Sequence, residues 1–244
     1  MENSVKRHKI LRIVLKILAA IVLLAVLSAG GLWGYRVFKN YYAEDIFKSL
    51  DLSQVDKLMI VAHPDDETIW GGGHLSEGKY LVVCITDGYN ETRKQEFETA
   101  VKHLNNTNIP VILDFPDKTL GKRDSWFGIK GKIGDAVEKC IKLKDWKSIV
   151  THNKEGEYGH IHHKMTSSIV KDKYKDLEIT SPLYLFGTYY SKKKLPKYED
   201  SLTPMNDEWY SAKIEAFKDY KSQKKVVDNL SHMAKYEMWT EYTE

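Results

Sequence analysis

Cysteine is scarce in this chain. Only Cys84 and Cys140 occur among 244 residues, too few for a disulfide framework. Both lie in apolar runs, Leu81–Ile85 and Val137–Leu143, and read as small buried hydrophobes. A charge excess of one sign is missing as well, with 37 Lys and Arg against 34 Asp and Glu, a net of +3. Even that excess is local. Residues 1–36 hold six basic and one acidic side chain, a net of about +5, so the remainder carries about −2. The sequence pI near 8.5 is therefore no sign of nucleic-acid binding, and no nucleic-acid partner is expected. The basic runs Ser191–Lys194 and Lys221–Lys225 read as solvated faces or membrane-proximal surface. Internal repeats are absent, and a single stretch, Asp200–Asp207, reads as an extended loop.

What is present begins with an uncharged run from Ile17 to Tyr35, close to the ~20 residues that cross a bilayer as a helix. Lys6, Arg7, Lys9, Arg12 and Lys16 precede it, and only Arg36 and Lys39 follow closely. The positive-inside rule then keeps the N-terminus in the cytoplasm and exports the rest. A cleavable signal peptide cut near Ser28–Gly31 is the alternative; the run continues through Leu32, Trp33 and Tyr35 and exceeds the ~7–15 residues of a signal-peptide core, which favours a retained anchor. The expected organisation is a basic tail and anchor over 1–40, an amphipathic linker over 41–55 with Ile46, Phe47, Leu50 and Leu52 available for packing, and one domain over 56–244.

Beyond the linker, apolar strands and amphipathic helices alternate. Strands are predicted at Lys57–Ala62, Tyr80–Thr86, Pro110–Phe115, Ser148–Thr151 and Leu183–Thr188. Helices are predicted at Gln95–Leu104, Ile129–Leu143, His163–Tyr174, Asp207–Tyr220 and Val226–Trp239. Such alternation implies an α/β fold, a parallel sheet with helices on both faces. The aromatic side chains of the tail, Trp209, Tyr210, Phe217, Tyr220, Tyr236 and Trp239, read as helix packing ahead of a sugar platform.

Two clusters interrupt this pattern at strand ends. The first, IVAHPDDETIWGGG from Ile60 to Gly73, passes abruptly from apolar residues to His63, Pro64, Asp65, Asp66 and Glu67. Carboxyl ends of strands face the ligand crevice in open α/β sheets, and His63 and Asp66 are suitable ligands for a first-row metal. Pro64 disfavours helix at His63, so the pair sits on a turn. Taken alone, the segment could be a solvated turn with an acidic helix start. The second cluster, THNKEGEYGHIHH from Thr151 to His163, holds four of the nine histidines directly after another apolar run. A His/Asp pair joined by a distant His is the composition of a catalytic zinc site with one open position.

These motifs resemble the PIG-L/LmbE-type N-acetylglucosaminyl deacetylases, metal-dependent amidohydrolases with a Rossmann-like fold. AHPDDE at Ala62–Glu67 matches the first family motif without change, and GEYGHIHH at Gly156–His163 resembles the second. TDGYNETRKQE at Thr86–Glu96, FPDKTL at Phe115–Leu120 and KIEAFKDYKSQ at Lys213–Gln223 are similar to further family segments. One departure stands out: many members carry His-Pro-Asp-His where this chain has His160-Ile161-His162-His163.

The resemblance, together with the ligand chemistry, implies His63, Asp66 and His163 around Zn2+, with other divalent metals also compatible with two histidines and an aspartate. Asp65 is then the general base. His160 is expected to stabilise an oxyanion or protonate the leaving amine, and Tyr158 to offer its hydroxyl to the oxyanion. Arg93 resembles a substrate-binding arginine, against a surface arginine paired with Glu91 or Glu96. Asp117 either binds sugar hydroxyls or starts a turn. Glu67 is expected to cap the following helix and His162 to face solvent or lie behind the ligands; His74 and His152 receive no role. The implied activity is deacetylation of N-acetylglucosamine residues in a cell-wall polymer, a teichoic-acid-type chain or a glycolipid outside the cytoplasm. The alternatives are an amidase of another small amide or thiol conjugate, and an inactive metal- or carbohydrate-binding relative. The 200–207 loop is a candidate border of the site.

Overall fold

The computed structural model describes residues 2–43 and 45–243, with side chains from residue 6 onward. The chain divides into two units: one comprises the N-terminal helix up to Asn40 with Phe127–Ile129, the other runs from Tyr41 to Trp126 and from Lys130 onward. In the first unit, α1 (Glu2–Phe38) is continuous over 37 residues. It is long and apolar enough to cross a membrane, and its apolar side chains from Ile10 to Leu27 are exposed.

The second unit begins with the 41–55 segment, in which Tyr41, Phe47 and Val55 are buried. Tyr41 stacks on Phe115 at 4.6 Å and its carbonyl accepts the Asp114 N–H. Then follow β1 (Lys57–Val61), α2 (Asp66–Ser76), β2 (Tyr80–Thr86), α3 (Glu91–Leu104), β3 (Ile109–Phe115), a small hairpin of β4 (Lys118–Thr119) and β5 (Lys122–Arg123), α4 (Lys130–Ile141), β6 (Ser148–Thr151), α5 (Ile161–Asp176), β7 (Leu183–Leu185), α6 (Leu195–Tyr198), α7 (Asp207–Ala216), α8 (Lys224–Leu230) and β8 (Thr240–Glu241).

The main sheet has the order β3-β2-β1-β6-β7-β8. All pairings are parallel except that of β8 against β7. Successive strand residues point to opposite faces. Met59, Val61, Val82 and Cys84 pack into one core with residues of α2, α3, α7 and α8, among them Trp70, Phe97, Ala216 and Val227, and with Tyr220 between the last two helices. Leu58, Ile60, Leu81 and Val83 are buried on the opposite face, where α5 lies against β1 and β6 and packs on α4. Burial on both faces explains why these strands read as unbroken apolar runs.

The termini of elements depart from the sequence expectations for local reasons. The α3 helix starts four residues early because the Asn90 side chain accepts the Arg93 N–H at 3.3 Å. The α5 helix starts at Ile161 because His160 caps it. The helix expected over 226–239 is not continuous. It spans Lys224–Leu230, passes through a single 3-10 turn at Ser231–Met233, and extends into β8. The fifth strand is three residues long. Loop residues Thr203–Met205 do not border the histidine clusters; they line a second cavity with Lys57, Tyr80 and Ser148, the first residues of β1, β2 and β6.

Order reverses between β1 and β6: β2 and β3 extend to one side of β1, and β7 extends beyond β6 on the other. A crevice opens at the carboxyl ends of strands where the order reverses. The first cluster follows β1 and the second follows β6, so the topology brings them to that crevice.

Candidate metal and catalytic site

The turn after β1 is built by its own polar groups. The His63 N–H donates to Asp66 Oδ2 at 2.9 Å, and the Asp66 N–H returns to the His63 carbonyl at 3.2 Å. Asp65 precedes the helix at φ 122°, a region that costs a non-glycine residue about 1–3 kcal/mol and clusters at functional sites. Glu67 braces the turn: its Oε2 accepts the N–H of Asp65, the residue before α2, at 3.1 Å, and its other oxygen accepts from Tyr220 and Thr68 hydroxyls.

Two imidazole nitrogens and the two oxygens of one carboxylate converge here. His63 Nδ1 lies 3.0 Å from Asp66 Oδ2, His163 Nε2 lies 3.2 Å from Asp66 Oδ1, and the two imidazole nitrogens are 3.3 Å apart. Ligands at about 2.0–2.1 Å from a tetrahedral ion are themselves about 3.3 Å apart, so these three side chains are spaced as ligands of one ion would be. The remaining nitrogen of His163 meets the Glu157 carboxylate, the outer partner that commonly orients a ligating histidine. The donor set fits a divalent metal. Overlapping groups also have the composition to hold an ion: His63 with His160 and His163, His63 with Asp117 and His162, and Asp66 with His152 and His163.

Electrostatics point the same way. Burial alone would lower His63, but Asp66 and Asp117 outweigh it and raise its pKa to about 9. Asp66 is held well below the carboxylate range, its burial overcome by His163, His152 and His63. Glu157 falls to about 2 against its own burial because His152 and His163 flank it. This pocket attracts positive charge, which bound protons or a divalent cation can supply; a cation binding there displaces protons.

Asp65 behaves differently. Burial, reinforced by the Asp66 charge, pushes its pKa well above the ordinary value, against the opposing pull of Arg93. It lines a cavity of about 380 Å³ together with His63, Asp66, Arg93, Asp117, Tyr158 and His160. Every residue that the sequence singled out for the site except buried His163 thus lines one cavity, and His163 lies directly behind it. His160 stacks near His163, ring centres 4.4 Å apart, and its burial together with His63 and His163 pushes its pKa down to about 2. Its Nδ1 accepts the His162 N–H at 3.3 Å, which leaves the proton of the neutral ring on Nε2. Tyr158 is 43% exposed and sits with its ring 5.9 Å from that of His160.

The structure narrows the readings of three further side chains. Arg93 pairs with neither Glu91 nor Glu96; its guanidinium binds Asp87, donates to the Pro64 carbonyl at 2.8 Å and lies 3.9 Å from Asp65. Glu96, one of the two acids of the alternative reading, instead accepts from Ser222. His162 does not face solvent. It is fully buried, stacked on Trp126 at 4.4 Å, with Nε2 on the Asp124 carbonyl at 2.7 Å and Nδ1 3.0 Å from His63 Nε2. Asp117 lies 3.5 Å from both His63 and His162.

Two residues went unread in the sequence. His152 accepts the Ala62 N–H through Nε2 at 3.0 Å and meets Glu157 through Nδ1 at 3.0 Å, tying the β1 end to the β6 end. Glu157 binds both His152 and His163. An acid between His152 and His163 inside THNKEGEYGHIHH was the available signal.

Residues 58–174 match the sequence model of the PIG-L family, described as GlcNAc-PI de-N-acetylase. The chain is also similar to an uncharacterised protein of Acanthamoeba polyphaga mimivirus, 29% identical over 175 residues that cover 65% of this chain and 72% of the relative. Residues 58–174 are a PIG-L family domain, the family whose motifs the two clusters carry.

Proposed function

We propose that this protein is a membrane-anchored, extracytoplasmic, metal-dependent N-deacetylase acting on N-acetylglucosamine residues of a cell-surface glycan or glycolipid. The observation that carries the reading is the convergence of His63 Nδ1, the Asp66 carboxylate and His163 Nε2, 3.0–3.3 Å from one another, with Asp65 on the wall of the same cavity. These three residues would hold the ion, zinc being the metal this donor set suits. Bound there, a divalent ion supplies Lewis acidity that activates water and polarises the acetamide carbonyl.

The chain's own groups do the rest. Asp65 takes the proton of the attacking water, a task suited by its raised pKa, and returns it to the amine as the C–N bond breaks. One water is consumed; acetate and the free amine leave. His160, neutral and with its proton on Nε2, donates to the developing oxyanion, and the Tyr158 hydroxyl is a second donor. Arg93 fixes the Pro64–Asp65 turn and, with Asp117, borders the space for sugar hydroxyls. The anchor spans residues 1–40, and residues 56–244 form the catalytic domain behind the 41–55 linker.

The test is acetate release by the full-length protein, reconstituted with Zn2+, from a panel of N-acetylated glycans and glycolipids. The account expects stoichiometric acetate and free amine from at least one N-acetylglucosamine substrate. No release from any of them would overturn the reading.

A further inference from the structure

The β4–β5 hairpin breaks a local rule without any gain to the fold. Its two-residue loop, Leu120–Gly121 between Thr119 and Lys122, has φ of 52° and 74°, the two positive values of a type I′ turn. That turn favours Asn or Asp followed by Gly, because a bulky side chain is disfavoured at positive φ. Here the first position is leucine. Its side chain packs on nothing that compensates, being 90% exposed, and the space around Gly121 is open. A residue that costs conformational energy and contributes no packing points to a role outside the fold.

The surroundings indicate which. Lys118, Lys122 and Arg123 flank the leucine, and no acidic side chain occurs between Lys118 and Arg123. Lys118 and Arg123 also line the catalytic cavity, so the hairpin stands on its lip. Its base is fastened to the site: Thr119 donates to the Asp124 carboxylate, and the Asp124 carbonyl meets His162. An apolar tip ringed by cations fits an anionic bilayer surface.

We propose that the Lys118–Arg123 hairpin is a bilayer-contacting element, with Leu120 seated among lipid chains and Lys118, Lys122 and Arg123 on anionic headgroups of the membrane that the anchor spans. The inference rests on the retained-anchor reading above. It holds the cavity mouth at the lipid surface.

The experiment places an environment-sensitive fluorophore on Leu120→Cys of the full chain, reconstituted into vesicles of phosphatidylcholine and phosphatidylglycerol. Glu178→Cys, beyond the far end of α5, is the water-exposed reference; Cys84 and Cys140 are buried. Nitroxide-bearing lipids should quench the label at position 120 several-fold more than at 178, and Lys122→Glu should weaken that quenching. Equal, weak quenching at both sites in protein that resists alkaline extraction would overturn the hairpin proposal and leave the anchor intact. Release of the protein by alkaline extraction would overturn both. Leu120→Asn, which suits the turn better, should be at least as heat-stable as the parent; a clear loss of stability would assign Leu120 to the fold and contradict the proposal.

Discussion

The two ends of the parallel sheet each bury a cluster of charged and imidazole groups beside a cavity, and the clusters are wired differently. At the amino end, Glu237 accepts from Lys213 Nζ at 2.7 Å, the Gly73 N–H at 2.7 Å, the His74 N–H at 3.1 Å and His74 Nδ1 at 2.7 Å. One acid is saturated by donors, and the cluster clasps the C-terminal segment to α2. Gly72 permits this closeness, because a Cβ there would lie 2.9 Å from Lys213 Cγ. At the carboxyl end, acceptor atoms of His63, Asp66 and His163 crowd one another at 3.0–3.3 Å, while Glu157 and His152 hold them from behind. A cluster satisfied by fixed donors is structural; one in which two imidazoles and a carboxylate crowd together, held by protons that a cation can displace, is prepared for a metal.

Substitutions should separate the two. The largest effect is expected at the carboxyl end: His63→Ala, Asp66→Ala or His163→Ala should each abolish bound metal and acetate release, with the fold retained by circular dichroism. Full metal occupancy in all three would remove the proposed triad. Asp65→Asn should keep the metal and lose about 10²–10⁴-fold in turnover, the usual worth of a general base. Wild-type turnover in that variant would move the role elsewhere, first to His160.

At the amino end the currency is stability. Lys213→Ala removes the cation from a buried ion pair, leaving Glu237 only the Gly73 and His74 contacts, and should cost about 3–5 kcal/mol, read as a lowered denaturant midpoint with metal content unchanged. Loss of metal in Lys213→Ala would show that the two ends are not independent. Glu157→Gln should weaken metal affinity about 10–100-fold, the range for groups that orient a ligating histidine, measured by competition with a chelator. The smallest effect is on acid stability. Burial would raise Glu237, but Lys213 and His74 bring its pKa from 4.5 to about 2. A depressed carboxylate stabilises the fold above its unfolded pKa, and that stability is lost as pH falls through the folded value. The clasp's contribution should therefore fade between about pH 4.5 and pH 2, and Lys213→Ala should flatten that part of the stability profile.

Much of this was legible in the sequence where one local rule dominated. Tyr80–Thr86 and Ser148–Thr151 are strands with the boundaries their apolar runs suggest, because both are buried on two faces. The two histidine-bearing clusters advertise a shared site through composition alone. What was not legible depends on long-range contacts. The apolar spacing of Val227, Leu230 and Met233 continues past the end of α8, but the chain leaves the helix so that Glu237 reaches α2 and β8 pairs with β7. Arg93 was legible as a site residue, but its partners, Asp87 and the Pro64 carbonyl, are brought to it only by the fold. Whether His162 faces solvent or lies behind the ligands is decided only when Trp126, thirty-six residues earlier, is stacked on its ring. Glu157, at φ 53°, faces two histidines through a loop conformation that no periodicity predicts.

The most direct test is the position of the metal itself. Crystals of the protein grown with Zn2+ should show an anomalous difference peak at the zinc edge within about 2.0–2.2 Å of His63 Nδ1, an Asp66 oxygen and His163 Nε2, with Asp65 outside bonding distance. A peak held instead by His63, Asp117 and His162, or a pocket that binds no metal at saturating concentration, would contradict the account.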